Sequence, residues 1–301
     1  MQAAIDVGSN TVRMLIGECR DNILYPEKYY RSISRLAGGF SPQNELAVES
    51  MERTLDVLNR FSKILHSVGV ADVRVVGTAA LRRAVNRQLF VDRVQAETGL
   101  VLETIDGAEE ARLMARGVLS VVQPAPAAAI IFDIGGGSTE FVYVHQGMIK
   151  FQQSYALGVV QLSEDFSTDG QRKDYVTQVI SQFVAMLTGH DLLDQRYQLI
   201  GTAGTLTTLA AMHLQLAEYD ARLINNHLIP AGYLQTLQLK LQSLSEFERE
   251  DLIGMEKGRG DLILPGLEIV LQLLTQFELK ELKIADSGLL EGVLLECCPA
   301  N

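Results

Sequence analysis

Two near-copies of one short loop, Asp6-Val-Gly-Ser-Asn-Thr11 and Asp133-Ile-Gly-Gly-Gly-Ser-Thr139, open the two halves of this chain. Each follows an apolar run, Ala3-Ala4-Ile5 or Ala129-Ile-Ile-Phe132, and each precedes another, Val12–Gly17 or Phe141–Val144. Short apolar runs on both sides of a turn read as strand–turn–strand. Small residues let a backbone approach a bound anion closely, with N–H groups and hydroxyls pointing inward. The leading aspartate can hold a metal ion against that anion, directly or through water. The repeat therefore predicts two half-sites facing each other across a cleft, in a chain built to grip phosphate.

Composition narrows the class. The 301 residues suffice for two domains with their own cores. An apolar fraction of 47% and a charged fraction of 21% fit a globular protein. No run approaches the roughly 20 apolar residues that span a bilayer, so no membrane is expected. The N-terminus runs straight into the first strand, leaving no room for a signal peptide. Cys19, Cys297 and Cys298 form neither a metal-binding spacing nor an even disulfide framework, and they read as ordinary residues of a reducing cytoplasm. The formal net charge of −11 argues against a broad nucleic-acid surface. It leaves room for a polyphosphate in a locally positive cleft. The five histidines are scattered and read as structural or surface groups.

Strands and helices alternate along the chain, which implies an α/β architecture. Leu46–Val68 carries apolar residues at steps of three to five and reads as a long amphipathic helix. Strand Asp72–Val76 leads into Gly77-Thr-Ala-Ala80 and one helix bearing Arg82, Arg83 and Arg87. Strand Leu100–Ile105 precedes a helix from Gly107 to about Val122. Gln123-Pro-Ala-Pro-Ala127 is the clearest linker, since two prolines break pairing there. It predicts domains at 1–124 and 125–301, with a hinge between them. The second half restarts at the Asp133 loop and a hairpin near Gln146-Gly147. It continues through helices at Val159–Phe166 and Tyr175–Thr188, strand Gln198–Ile200, and Gly201-Thr-Ala-Gly-Thr205 opening a helix. Later helices fall near Leu234–Leu244, Ser245–Leu252 and Leu264–Phe277. A last helix, about 287–298, is expected to pack back on the first domain.

These motifs resemble the exopolyphosphatase/guanosine pentaphosphate phosphohydrolase family (Ppx/GppA) of the actin-like ATPase superfamily. The resemblance runs through Ile5–Met14, Gly77–Asn86, Gly107-Ala-Glu-Glu-Ala-Arg-Leu113, Asp133–Phe141, Gly201–Thr205, Gly258-Arg-Gly-Asp-Leu-Ile-Leu-Pro-Gly266 and Asp286–Gly292. It implies two actin-like (ribonuclease H-like) domains around a central phosphate-binding cleft, and a short member without the C-terminal helical region. Relatives often carry arginine where Gln161 and Leu290 stand, so lost cleft charge is expected at both positions.

Hydrolysing a phosphoanhydride needs charge neutralisation, an in-line water and a group that positions it. The resemblance implies Glu110 as the water-activating carboxylate and Arg82 as the cleft arginine. Glu109, about 100° around the helix, reads as secondary, and Arg83 and Arg87 as surface. Ser9, Asn10 and Thr11 are expected to bond phosphate from the first loop. Gly135, Gly136, Gly137, Ser138 and Thr139 are expected to do so from the second. Asp6, Asp133 and Glu140 are the expected Mg²⁺ ligands. Gly201–Thr205 is read as shaping the far wall. The implied activity is release of terminal phosphate from polyphosphate or guanosine pentaphosphate, and the resemblance suggests a homodimer. Two other readings stay open: a catalytically weak regulator that binds guanosine penta- or tetraphosphate, and an actin-like ATPase or sugar kinase.

Overall fold

The structure, a computed structural model, describes residues 1–20, 23–166, 168–190, 192 and 196–297. Cys298 and the end of the expected last helix lie outside the described residues. The chain folds as two compact units, one from Met1 to Ser120 with the segment from Gly288 onward, the other from Val121 to Ser287.

The first unit runs β1 (Gln2–Val7), β2 (Thr11–Arg20), β3 (Ile23–Ile33), α1 (Val48–Val68), β4 (Val73–Gly77), α2 (Ala79–Arg83), α3 (Arg87–Thr98), β5 (Leu102–Thr104) and α4 (Gly107–Val121). Its sheet has the order β3-β2-β1-β4-β5. β1 is antiparallel to β2 and parallel to β4, which is parallel to β5. Side chains alternate across a strand, and β1 buries both faces. Ala3, Ile5 and Val7 join Leu55, Leu58 and Phe61 of α1, while Ala4 joins Ile105 and Leu113 on the other side.

Two features of this unit depart from the sequence reading. β3 is a full edge strand whose Pro26, Glu27 and Lys28 carry no strand signature. A register shift between Ile16 and Gly17 accommodates the proline, and an edge strand tolerates its missing N–H. The expected single helix after Ala79 is two helices. Asn86 breaks it by pairing its side-chain amide with the backbone of Leu46, accepting from the N–H at 2.9 Å and donating to the carbonyl at 3.1 Å. Val85 N–H donates to Asn44 O.

The second unit runs β6 (Ala128–Ile134), β7 (Thr139–His145), β8 (Met148–Tyr155), α5 (Val159–Glu164), α6 (Asp169–Gly189), β9 (Gln198–Thr202), α7 (Ala203–Leu214), α8 (Ala221–Ile224), β10 (Leu228–Pro230), α9 (Ala231–Gln242), α10 (Glu246–Glu250), α11 (Ile263–Gln276) and β11 (Glu281–Ile284). Its sheet reads β8-β7-β6-β9-β11-β10. The first five strands repeat the order and directions of the first sheet. The ribonuclease H-like, actin-like topology thus occurs twice. The β7–β8 hairpin turns at Gln146 and Gly147, both at positive φ, as the right-handed twist of the strands favours.

The division falls at 120/121 rather than 124/125. Val121 O accepts from Asn226 Nδ2, Gln123 N–H donates to Asn226 Oδ1, and Gln123 O accepts from Lys283 Nζ. All these partners lie in the second unit. α12 (Leu289–Glu296) packs in the first unit, with Leu289, Leu290, Val293 and Leu294 beside Ala4, Leu15 and Leu113. Leu290 is a core residue, which corrects its reading as a lost cleft charge. Cys19 is disulfide-bonded and Cys297 is a free thiol. This corrects the expectation of three ordinary cysteines, and the argument they made for a reducing compartment falls. No helix among the described residues is long and apolar enough to cross a membrane.

Candidate active site

Both loops connect antiparallel strands in one register. Val7 pairs with Val12 and Asp6 with Arg13; Ile134 pairs with Thr139 and Asp133 with Glu140. Thr11 therefore corresponds to Ser138, and Arg13 to Glu140. Arg13 Nε and Nη2 both donate to Asp6 Oδ2, the former at 2.9 Å. Asp6 Oδ1 is buried without a hydrogen-bond partner. In the second hairpin two carboxylates, Asp133 at 9% and Glu140 at 1% exposure, stand directly across from each other. Cross-strand like charges repel; Ser138 Oγ and Ser154 Oγ both donate to Glu140 Oε1 at 2.7 Å. Sequence reasoning gave Arg13 no role, although opposite charges flanking the hairpin at Asp6 and Arg13 were a usable signal.

Each loop is strapped from behind. Ser9 O accepts from Ala37 N–H, and Asn10 O from Ser34 and Arg35 N–H, at 2.9–3.0 Å. In the second unit the first turn of α5 does the same work. Val159 N–H donates to Gly135 O at 3.0 Å, and Val160 and Gln161 N–H donate to Gly136 O at 2.9 and 3.2 Å. A trans peptide points its C=O and N–H oppositely. With their carbonyls turned to the strap, the loops aim the N–H groups of Asn10, Thr11, Gly136 and Gly137 the other way, as anion binding requires.

Side chains divide differently from the expectation. Asn10 is 6% exposed, and neither its amide oxygen nor its nitrogen has a partner. A buried amide left so costs about 1–3 kcal/mol per group. Ser9 is buried and Thr11 half-buried beside it. Ser138 Oγ, by contrast, donates to Glu140 Oε1 at 2.7 Å, and Thr139 Oγ1 donates to Leu157 O. In this arrangement both hydroxyls donate to the protein itself. Gly135, Gly136 and Gly137 offer backbone only.

Arg82 and Glu110 meet. The carboxyl ends of parallel neighbours β1, β4 and β5 lie on one edge, where α/β sheets place their ligands. Thr78 N–H donates to Val7 O, and Ile105 N–H to Gly77 O, tying the three ends together. Asp106 caps α4 by accepting from Glu109 N–H at 2.8 Å, placing Glu110 in the first turn, where the helix dipole favours an anion. Arg82 Nη1 donates to Glu110 Oε2 and to Ile105 O. Glu110 is 9% exposed. Glu109 turns to Arg112, which donates to both its oxygens at 2.8 Å and lowers its carboxyl below the ordinary range. Arg83 lies over the Phe40 ring and bonds Asn44, and Arg87 is exposed.

At the same edge of the second sheet, Gly201–Thr205 opens α7. Ala203 is held at φ +70°, a strained conformation for alanine. The Arg259 guanidinium lies so close to Gly204 that a Cβ there would meet Nη2 at 1.7 Å. Glu256 accepts from Arg259 Nε at 2.6 Å. Arg259, quoted only as part of a motif, is thus a buried cation of this edge. Among the described residues no three His, Cys, Asp or Glu side chains gather as a metal cage.

The family model described as "Ppx/GppA phosphatase family" matches residues 21–301. "Exopolyphosphatase 2" of Mycobacterium tuberculosis is 29% identical, over 97% of this chain and 97% of its own. "Guanosine-5'-triphosphate,3'-diphosphate pyrophosphatase" of Vibrio campbellii is 28% identical, over 98% of this chain and 59% of its own. The chain spans about half the length of the longer curated relatives it matches, 46% and 59% in two cases. The crystal structure of an exopolyphosphatase from Cytophaga hutchinsonii superposes with a TM-score of 0.88 at 27% identity, over 99% of this chain and 98% of that one.

Proposed function

This chain belongs to the Ppx/GppA phosphatase family, and from that premise we propose that it hydrolyses phosphoanhydrides, releasing terminal phosphate from inorganic polyphosphate or guanosine pentaphosphate. The observation that carries the reading is the Arg82–Glu110 pair on the sheet edge that also bears the Asp6 loop. Glu110 acts as the acceptor that positions and deprotonates the attacking water, with Arg82 orienting its carboxylate. In the first unit the loop N–H groups of Asn10 and Thr11, with the Asn10 side chain, and in the second unit those of Gly136 and Gly137, are each arranged to bond phosphoryl oxygens.

The residues present fit a divalent cation. In the second unit the cross-strand carboxylates Asp133 and Glu140, and in the first unit Asp6 with its unpartnered Oδ1, each offer hard oxygen donors of the kind Mg²⁺ takes, with water and phosphate filling the remaining positions. Such an ion, when bound, neutralises charge on the phosphoryl oxygens. Phosphate release from both substrates by wild type and Glu110→Gln is the direct test. A fall of about 10²–10⁴ is expected for loss of a general base, and unchanged release would remove Glu110 from its role. Asp133→Asn should raise the Mg²⁺ concentration needed for half-maximal rate.

The reading of a weak regulator rested on Gln161 and Leu290, and the core position of Leu290 removes half of that ground. Tight guanosine pentaphosphate binding with negligible turnover at saturating Mg²⁺ would restore it. A homodimer and a cytoplasmic location complete the proposal on family resemblance alone; light scattering in solution tests the first.

A further inference from the structure

An open groove of about 750 Å³ lies in the first unit between the end of β3 and α1. Three cations line it, Arg53, Arg60 and Lys63, against one carboxylate, Asp56. That is unusual in a chain of net charge −11. Among the described residues none of the three is in an ion pair, whereas Arg74, Arg93, Arg112 and Arg222 all hold carboxylates. They fall on one face of α1, at steps of seven and three residues. Ten residues of helix span about 15 Å, longer than a single phosphate needs.

The two guanidiniums are already oriented. Arg53 Nε donates to Ser34 O at 3.0 Å and its Nη2 to Ser50 Oγ at 2.8 Å; Arg60 Nη2 donates to Ser32 Oγ at 3.2 Å. Their Nη1 groups make no hydrogen bond to the described residues. Guanidinium forks match phosphate oxygens bidentately. Arg53 also links the groove to the strap behind the first loop. Ser34 and Arg35, whose carbonyls accept from Arg53, donate both their N–H groups to Asn10 O.

We propose that this groove is a second anion site that takes a chain of linked phosphates, and that Arg53 joins it to the strap behind the first phosphate loop. The choice of ligand class rests on the phosphatase reading above. A chain seated along Arg53, Arg60 and Lys63 lies outside the catalytic constellation and adds affinity for long or highly phosphorylated ligands.

The test is calorimetric titration of the full chain with chelator present, using tripolyphosphate and guanosine tetraphosphate side by side to separate a free chain from a nucleotide. Wild type is expected to take up two equivalents of at least one of them. Arg60→Gln/Lys63→Gln should lose one equivalent, or weaken it at least tenfold. Asp56→Asn, which removes the single negative charge of the groove, should tighten the same equivalent severalfold and serves if the double variant folds poorly. Equal stoichiometry and affinity in wild type and both variants overturns the groove, as does equal binding of polyglutamate in place of phosphate. A chain that binds both equivalents but, with Mg²⁺, releases phosphate from neither long-chain polyphosphate nor guanosine pentaphosphate leaves the groove standing and defeats the phosphatase reading instead.

Discussion

Gly158 precedes α5, where φ is −104° and ψ 150°, a conformation open to any residue. Its glycine is required by space alone. A Cβ built there would lie 2.3 Å from Gly136 C, Gly136 O and Gly137 N, where ordinary contact begins at 3.4 Å. Every clashing atom is backbone, so about 1 Å of separation has to come from moving the loop or the start of α5. Those two are joined by the three hydrogen bonds from Val159, Val160 and Gln161, so separating them strains the strap itself. Overpacking costs about 1–3 kcal/mol. In a domain of this size each kcal/mol lowers the melting temperature by about 2–4 °C. A displacement of about 1 Å in a positioning element can cost on the order of 10² in rate. Gly158→Ala should therefore melt several degrees lower and release phosphate about 100-fold more slowly, by scanning calorimetry and a phosphate-release assay. Gly232→Ala, where a Cβ meets nothing within 4 Å, is the control and should match wild type. A Gly158→Ala enzyme of wild-type rate would refute the view that the Gly136–Gly137 peptide is held in place from behind.

Three further outcomes follow from particular contacts. Asn10→Leu removes two unpartnered buried polar atoms, so its melting temperature without ligand should equal or exceed wild type while tripolyphosphate binding weakens at least tenfold; intact binding would free Asn10 of its role. His213 Nδ1 and His227 Nε2 lie 2.7 Å apart, and burial lowers both below the usual 6.5, with His213 adding to the effect on His227. The unfolded chain then binds more protons than the folded one below about pH 6.5, so stability falls as pH drops. His227→Gln should flatten the melting-temperature profile between pH 7.5 and 5.5, and parallel profiles would count against the pair. A Cβ at Gly292 would meet Leu113 O at 1.8 Å; Gly292→Ala should detach α12 from α4 and destabilise the first unit by about 1–3 kcal/mol or more, which urea denaturation reads directly.

The duplicated architecture was legible because both faces of its central strands are buried, so their apolar runs are continuous. β3 was not, because an exposed edge strand need not alternate and can hold Pro26 opposite Gly17. The break between α2 and α3 was hidden for another reason. It is made by Asn86 reaching Leu46, forty positions away in sequence, and no local propensity reports such a bond. The β3–α1 groove was equally invisible, since Ser32 and Arg60 meet only in the folded unit.

The candidate site shows the same limit more sharply. The loops could be found by their repetition, but their side-chain roles depend on register, which repetition does not supply. Once Val7 pairs with Val12 and Ile134 with Thr139, Thr139 is a strand residue with its hydroxyl turned to Leu157 O. Thr11 finds its counterpart in Ser138, and Arg13 in Glu140. One hairpin thus neutralises its aspartate with an arginine, and the other sets a second carboxylate beside it. Opposite charges at hydrogen-bonding distance satisfy each other, whereas two buried carboxylates in cross-strand register repel and gain most from a shared cation. The same backbone, used twice, therefore produces two different electrostatic environments. If that difference is functional, Glu140→Gln should weaken Mg²⁺ dependence far more than Arg13→Gln does. Equal Mg²⁺ dependence in the two variants would mean that the divergence of the repeats serves packing alone.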